Sequence, residues 1–419
     1  MLDPELEPPL PSAFRCALLV IVLTSAACAD ASPDVVTDDE TTPPTPAVPV
    51  TPSEPTAPVP AVDRFPGVTA ALTIDLARAL PEYASPAWPV HYDAGVIALT
   101  NAPPDNPVTN AGATLGRVLF HDRRLSITNT ISCASCHQQG NGFTDPTRFS
   151  VGFNTVDRTD AHSMRLTNLR FSAPAMFWDR RASTLESQTT QPIQNAVEMG
   201  FDAAHGGLDA LITRMHGLRY YPELFRFVYG DTVITEVRIQ RAIAQYLRSA
   251  VSTDSRFDRG FAAAFNPALP DRGVNAPFPS FTPEENRGKV LFLTSPQQGG
   301  GGCAACHTVP TFALAGNSRS NGLDANEARV FKSPSLKSVA ATGPYMHDGR
   351  FATLDAVVEH YVSGVQLGPA LDNKLRLPNG TPLRLALSPA DKAALVAFMR
   401  TLTDETLATD PRFASPFRP

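Results

Sequence analysis

Apolar residues recur at helical intervals in several separate stretches of the chain. Ile239, Ala242, Ile243, Tyr246 and Leu247 fall on one face of a 3.6-residue period, and so do Leu395, Val396, Met399 and Leu402. Leu354, Val357, Val358 and Tyr361 form a third face, behind Thr353 as a hydroxyl N-cap. Two predicted helices carry explicit start signals. Thr282-Pro283-Glu284-Glu285 supplies a capping hydroxyl, a proline at the first helical position and a carboxylate two residues further on. Ser388-Pro389-Ala390-Asp391 repeats that arrangement. No long stretch alternates at the period of two that a half-buried strand requires. The 40 prolines and 26 glycines predict long loops around short helices. The expected fold class is mainly α.

The N-terminal segment follows another pattern. Arg15 precedes an apolar run from Ala17 to Ala27, too short to span a bilayer and suited to a signal-peptide core. Asp3, Glu5 and Glu7 make the preceding region unusually acidic for such a leader. Ala27-Cys28-Ala29 fits small-x-small cleavage, which places the signal peptide at residues 1–29. Ser25-Ala26-Ala27-Cys28 also resembles a lipobox, with Ser25 where a large aliphatic residue is usual, so a lipid anchor at Cys28 stands beside free secretion. Both readings imply export, to the periplasm or to an outer-membrane-anchored position. Residues 30–65, dense in Pro, Thr, Asp and Glu, read as a disordered, partly polyproline-II tether.

An element occurs twice in what remains. Gly116-Arg117-Val118-Leu119-Phe120 precedes Cys133-Ala134-Ser135-Cys136-His137, and Gly288-Lys289-Val290-Leu291-Phe292 precedes Cys303-Ala304-Ala305-Cys306-His307. The first elements are offset by 288 − 116, or 172 positions, and the cysteine pairs by 303 − 133, or 170. Two halves of one architecture follow, at residues 66–270 and 271–419. A length of 419 residues and 43% hydrophobic content leave room for two cores. The net charge of −6 excludes a basic surface for nucleic acid.

C-x-x-C-H is the attachment signature of c-type haem. The spacing lets two thiols reach the two vinyl groups on one face of the macrocycle, and the adjacent histidine then falls beneath the iron. Zinc would require four ligands in one place, whereas each pair here brings its own histidine. Two class I cytochrome c-like domains, each with one covalently bound haem, are therefore expected. Cys133, Cys136 and His137 hold the first haem; Cys303, Cys306 and His307 hold the second. An iron with two protein ligands transfers electrons, while one with an open position binds peroxide.

From about Gly112 to Thr403 the chain resembles the bacterial di-haem cytochrome c peroxidases and their relative MauG, the tryptophan-modifying enzyme of methylamine utilisation. The matching segments include Leu119-Phe120-His121-Asp122-Arg123-Arg124-Leu125-Ser126, Gly142-Phe143-Thr144-Asp145, Phe177-Trp178-Asp179-Arg180-Arg181-Ala182, Gln191-Pro192-Ile193, Glu198-Met199-Gly200 and Gly343-Pro344-Tyr345-Met346-His347-Asp348-Gly349. The resemblance implies that His137 serves the peroxidatic haem and His307 the electron-transfer haem. It makes Trp178 the relay between them; the plain alternative is a large buried aromatic. It makes Glu198 the distal acid–base carboxylate, where most glutamates are merely solvated.

Two departures matter. The family's distal histidine matches Phe153, which cannot ligate iron, so the first site is expected to stand open; His162 is the nearby substitute, or else a loop histidine. The methionine ligand of the second haem matches Tyr361, which is the MauG pattern, with a packed core tyrosine as the alternative. Met346 competes for the same role. The family's calcium ion, one ion between the haems, would take carbonyls at Thr342 and Pro344, with the partner asparagine replaced near His162. The resemblance thus implies an oxidoreductase that reduces hydrogen peroxide with electrons from a small cytochrome c or cupredoxin, and hints at a homodimer. The alternatives are MauG-like oxidation of Trp or Tyr in a partner protein substrate and a non-enzymatic di-haem electron carrier.

Overall fold

A computed structural model describes residues 63–419. The leader, Cys28 and nearly all of the tether lie outside those residues. The described chain forms thirteen α-helices: α1 (Pro66–Ala71), α2 (Ala94–Ile97), α3 (Asn110–His121), α4 (Cys133–Cys136), α5 (Leu185–Thr189), α6 (Gly207–Gly217), α7 (Tyr220–Tyr229), α8 (Glu236–Ser249), α9 (Arg256–Ala264), α10 (Pro283–Leu293), α11 (Leu354–Glu359), α12 (Pro389–Arg400) and α13 (Glu405–Thr409). Only isolated β-bridges occur among the described residues, in keeping with the expected mainly α class. None of these helices is long and apolar enough to cross a membrane.

Local signals set the helix ends. The Thr282 and Ser388 hydroxyls accept from the backbone N–H of Glu285 and Asp391, whose side chains answer in complete capping boxes with proline at the start. Thr109, Thr235 and Thr353 cap α3, α8 and α11 in the same sense.

Each half is organised by one crossing of two long helices, α3 on α8 and α10 on α12. The repeated glycine marks each crossing. A Cβ at Gly116 would lie 2.0 Å from the Ala242 carbonyl oxygen, and one at Gly288 would lie 1.9 Å from that of Ala394. No side chain fits there, so backbone rests on backbone.

Two cores grow from these crossings. The first holds Leu115, Leu119, Leu224, Ile239 and Tyr246, and it also takes Leu407 and Phe413. The second is rich in phenylalanine, with Phe257 of α9 joining Phe278, Phe292, Phe312 and Phe398. Burying each of these rings contributes roughly 2 kcal/mol. A buried ion cluster flanks the second core. Lys337 Nζ lies 2.5 and 2.6 Å from the two Asp258 oxygens, and His91 Nε2 lies 3.2 Å from one of them. Burial alone would raise the Asp258 pKa, but Lys337, His91 and Ser255 together draw it down to about 2.

The segment after α12 returns to the first half. Arg117 donates to the Ala414 and Pro411 carbonyls at 2.7 and 2.8 Å, and Gln139 donates to those of Leu407 and Asp410.

The repeat extends further in the backbone than in residue identity. Left-handed residues recur in pairs: Phe143 with Phe312, Asn168 with Ser338, Phe177 with Met346, and Arg180 with Gly349. The bridge Met176–Ala182 recurs as Tyr345–Phe351, and the N-cap Thr184 recurs as Thr353.

Candidate active site

Both proximal histidines are oriented in the same way. Phe143, at φ 61°, turns its carbonyl onto His137 Nδ1 at 3.0 Å. Pro334 does the same for His307, also at 3.0 Å, with Ser333 Oγ at 3.3 Å. A carbonyl accepts only from a protonated Nδ1, so each ring presents a bare Nε2, the tautomer of a metal ligand held by an outer hydrogen bond. Desolvation lowers the pKa of both rings, and the charge of Arg165 joins it to bring His307 to about 4, which keeps the imidazoles neutral. Burial pushes Cys133, Cys136 and Cys303 up to about 12, 11 and 12.

The second pair opens into a cavity of about 470 Å³, lined by Cys303, Cys306 and His307 on one side and by Leu354, Val357, Val358 and Tyr361 on another. An apolar space with two thiols and one oriented imidazole fits a haem. Tyr361 reaches it because α11 widens into a π-turn at His360–Gly364. The face expected for Leu354, Val357, Val358 and Tyr361 does point into this cavity. Burial raises the Tyr361 pKa to about 12, with the nearby Asn321 amide opposing it. Met346 lines the same cavity, and its sulfur accepts from Asn321 Nδ2 at 3.3 Å.

At the first pair the half-buried Glu198 carries a raised pKa, caused by desolvation and opposed by Arg181. Burial is the main cause of the raised Cys133 and Cys136 pKa values, and the charge of Glu198 adds to it at both. Phe153 sits directly beside Glu198. The Phe153 N–H donates to the Glu198 carbonyl at 2.9 Å, and its own carbonyl accepts from Thr128 and Thr130, each at 2.8 Å. Its ring packs against Gly200, where a Cβ would meet it at 2.8 Å.

His162 does not face a metal. Its Nδ1 lies 3.2 Å from both the Thr147 and Arg148 carbonyls, and its Nε2 lies 3.3 Å from Thr144 Oγ1. It is a buried anchor and not a substitute ligand. Its carbonyl accepts the indole N–H of Trp178 at 2.7 Å, while the Trp178 side chain borders the second cavity. Trp178 thus joins the loop behind the first site to the wall of the second.

Thr342 is buried, with its hydroxyl donating to the Val339 carbonyl and its methyl against Gly142. Among the described residues no group of three His, Cys, Asp or Glu side chains is placed to hold a metal ion. Any cation at Thr342 and Pro344 would rest on carbonyls.

Sequence reasoning missed Asn321, Arg165 and the orienting carbonyls of Phe143 and Pro334. Arg165 enters the second cavity from the first half of the chain and donates to the Ser335 carbonyl at 2.8 Å. These residues occupy loops without periodicity, and their identities carry no motif.

Fold and site together define a helical protein whose repeated halves each set a cysteine pair beside a carbonyl-held histidine. The family model for di-haem cytochrome c peroxidase matches residues 110–264. The methylamine utilization protein MauG of Methylorubrum extorquens is 32% identical over 321 residues, covering 73% of this chain and 82% of that protein. The cytochrome c551 peroxidase of Nitrosomonas europaea is 31% identical over 350 residues, covering 78% and 90%. Among solved structures, a MauG-like protein associated with microbial copper homeostasis superposes with a TM-score of 0.60 at 28% identity, covering 80% of this chain and 98% of that one. The diheme peroxidase BthA from Burkholderia thailandensis shares the fold, with a TM-score of 0.51 at 22% identity over 81% and 94%. The chain belongs to the di-haem cytochrome c peroxidase and MauG family, whose cofactors are haems.

Proposed function

We propose that the protein is an exported oxidoreductase that reduces hydrogen peroxide at the His137 site, with electrons received from a small cytochrome c or cupredoxin through the second site. Cys133 and Cys136, and Cys303 and Cys306, would form the thioether links to two haems, with His137 and His307 beneath the irons. Bound haem supplies the electron and Lewis-acid chemistry of peroxide cleavage. A calcium ion on the Thr342 and Pro344 carbonyls belongs to the same reading.

The asymmetry of the repeat carries the proposal. Where the second half offers Met346 and Tyr361, the first offers groups that cannot ligate iron. The partner of Met346 is Phe177. Tyr361 stands eight positions after its cap Thr353, and the eighth position after the matching cap Thr184 is Pro192. Phe153 adds no ligand either. On this reading the position above His137 would be left to peroxide and to Glu198.

The chain's own residues then divide the work. Glu198, with its pKa raised by desolvation, accepts the proton of the proximal peroxide oxygen on its carboxylate and returns it to the distal oxygen as water departs. Two electrons and two protons convert one peroxide into two waters. Trp178 conducts between the sites, with its indole N–H fixed on His162.

Rapid mixing of the ferric protein with peroxide tests this reading. The expected result is one high-spin haem that reacts at once; two low-spin haems inert to peroxide would defeat it. Tyr361 in the second cavity favours a second reading, MauG-like oxidation of a Trp or Tyr in a partner protein. Turnover with reduced cytochrome c, compared between the wild type and Tyr361→Met, separates the two: vigorous wild-type turnover supports the peroxidase.

A further inference from the structure

We propose that Asn321 is a positioning residue that selects the Tyr361 oxygen over the Met346 sulfur as the side chain offered to the second haem. The inference rests on the reading of Tyr361 as a ligand, and goes beyond it by asking what holds back the rival thioether in the same cavity.

Three side chains meet in one place. Tyr361, Met346 and Asn321 all line the cavity that contains His307. The Asn321 Nδ2 group donates to Met346 Sδ at 3.3 Å. A thioether binds iron through a sulfur lone pair, and an amide N–H aimed at the sulfur competes for that pair. The Tyr361 phenol lines the same cavity and carries no such competitor for its oxygen among the described hydrogen bonds. The amide therefore acts on one claimant only: it occupies the sulfur and leaves the oxygen to the metal.

The placement of Asn321 is fixed by the element that carries the tyrosine. His360, the residue before Tyr361 in the π-turn, donates from Nε2 to the Asn321 carbonyl at 3.1 Å. The selector and the selected ligand therefore move as one unit. The left-handed φ of Met346 is shared with Phe177 in the other half, so it belongs to the repeat and plays no part in the selection.

The test uses the full-length, haem-loaded protein and reads absorption and the midpoint potential of the second haem. Asn321→Leu removes the donor, and Asn321→Asp keeps the shape without it. Both are expected to gain a thioether-to-ferric charge-transfer band and to shift the second haem's potential upward, as methionine ligation does. Adding Met346→Leu to either variant should abolish the band. If one variant fails to assemble, the other carries the same expectation. Asn321 variants that keep the wild-type spectrum and potential, while Tyr361→Phe changes both, overturn the selector and leave the tyrosine ligand standing. A Tyr361→Phe protein with the wild-type spectrum overturns the ligand reading and the selector with it.

Discussion

The two halves share a helix crossing, a glycine at that crossing, a carbonyl-held histidine and a set of left-handed turns. They differ in the side chains carried at matching positions of the repeat. The second half lines its cavity with a phenol, a thioether and an amide; where it has Met346 and Tyr361, the first half has Phe177 and Pro192. On the proposed function, a scaffold used twice would separate a conducting site from a reacting one largely by a few side chains. This is how one fold supports unlike chemistries: the site, and not the fold, carries the function.

The comparison breaks most visibly at Glu198. Glu198→Gln should lower kcat for peroxide by roughly 10²–10⁴-fold, with the absorption of both haems unchanged. In the wild type, activity should rise as pH increases through a pKa above the ordinary 4.5 of a glutamate, because the proton acceptor is the ionised form. The glutamine variant should lose that limb, and a pH profile from stopped-flow measurements checks both statements.

A second test addresses the ion cluster beside the second core, which draws on both halves. Asp258→Ala strands Lys337 in the interior and should destabilise the fold by roughly 3–5 kcal/mol, read by denaturant unfolding. The sign of the pH effect follows from the lowered pKa. The Asp258 contribution is complete above the ordinary carboxylate range and disappears as pH falls toward 2.

The smallest effect tests the symmetry itself. Gly116→Ala and Gly288→Ala each force a methyl into a carbonyl and should cost about 1–3 kcal/mol. Hydrogen exchange should show protection falling first in α3 and α8 for the former and in α10 and α12 for the latter. Equal loss in all four helices would mean that the halves do not open separately.

Much of this was legible in the sequence, and the reason is local. The capping boxes at Thr282 and Ser388 and the apolar faces of α8 and α12 are written within a few residues of themselves. The C-x-x-C-H pairs declare their chemistry because attachment needs neighbours in sequence. The meaning of Gly116 and Gly288 was not legible, because their contacts lie more than one hundred residues away. Asn321 was silent for a related reason. An asparagine in a loop has many uses, and only the tertiary fold brings it to Met346 and Tyr361. His162 misled in the opposite direction: nearness in sequence suggested a ligand, but both nitrogens face protein groups.

The seating of Leu407 and Phe413 in the first core has a bearing on how the chain can be shortened. The first core, built mostly from residues before α9, is complete only when two side chains from beyond α12 are in place. The second core takes neither of these side chains, so the two halves depend unequally on that last stretch. A polypeptide truncated just beyond α12 would on this account injure the distant site and spare the adjacent one.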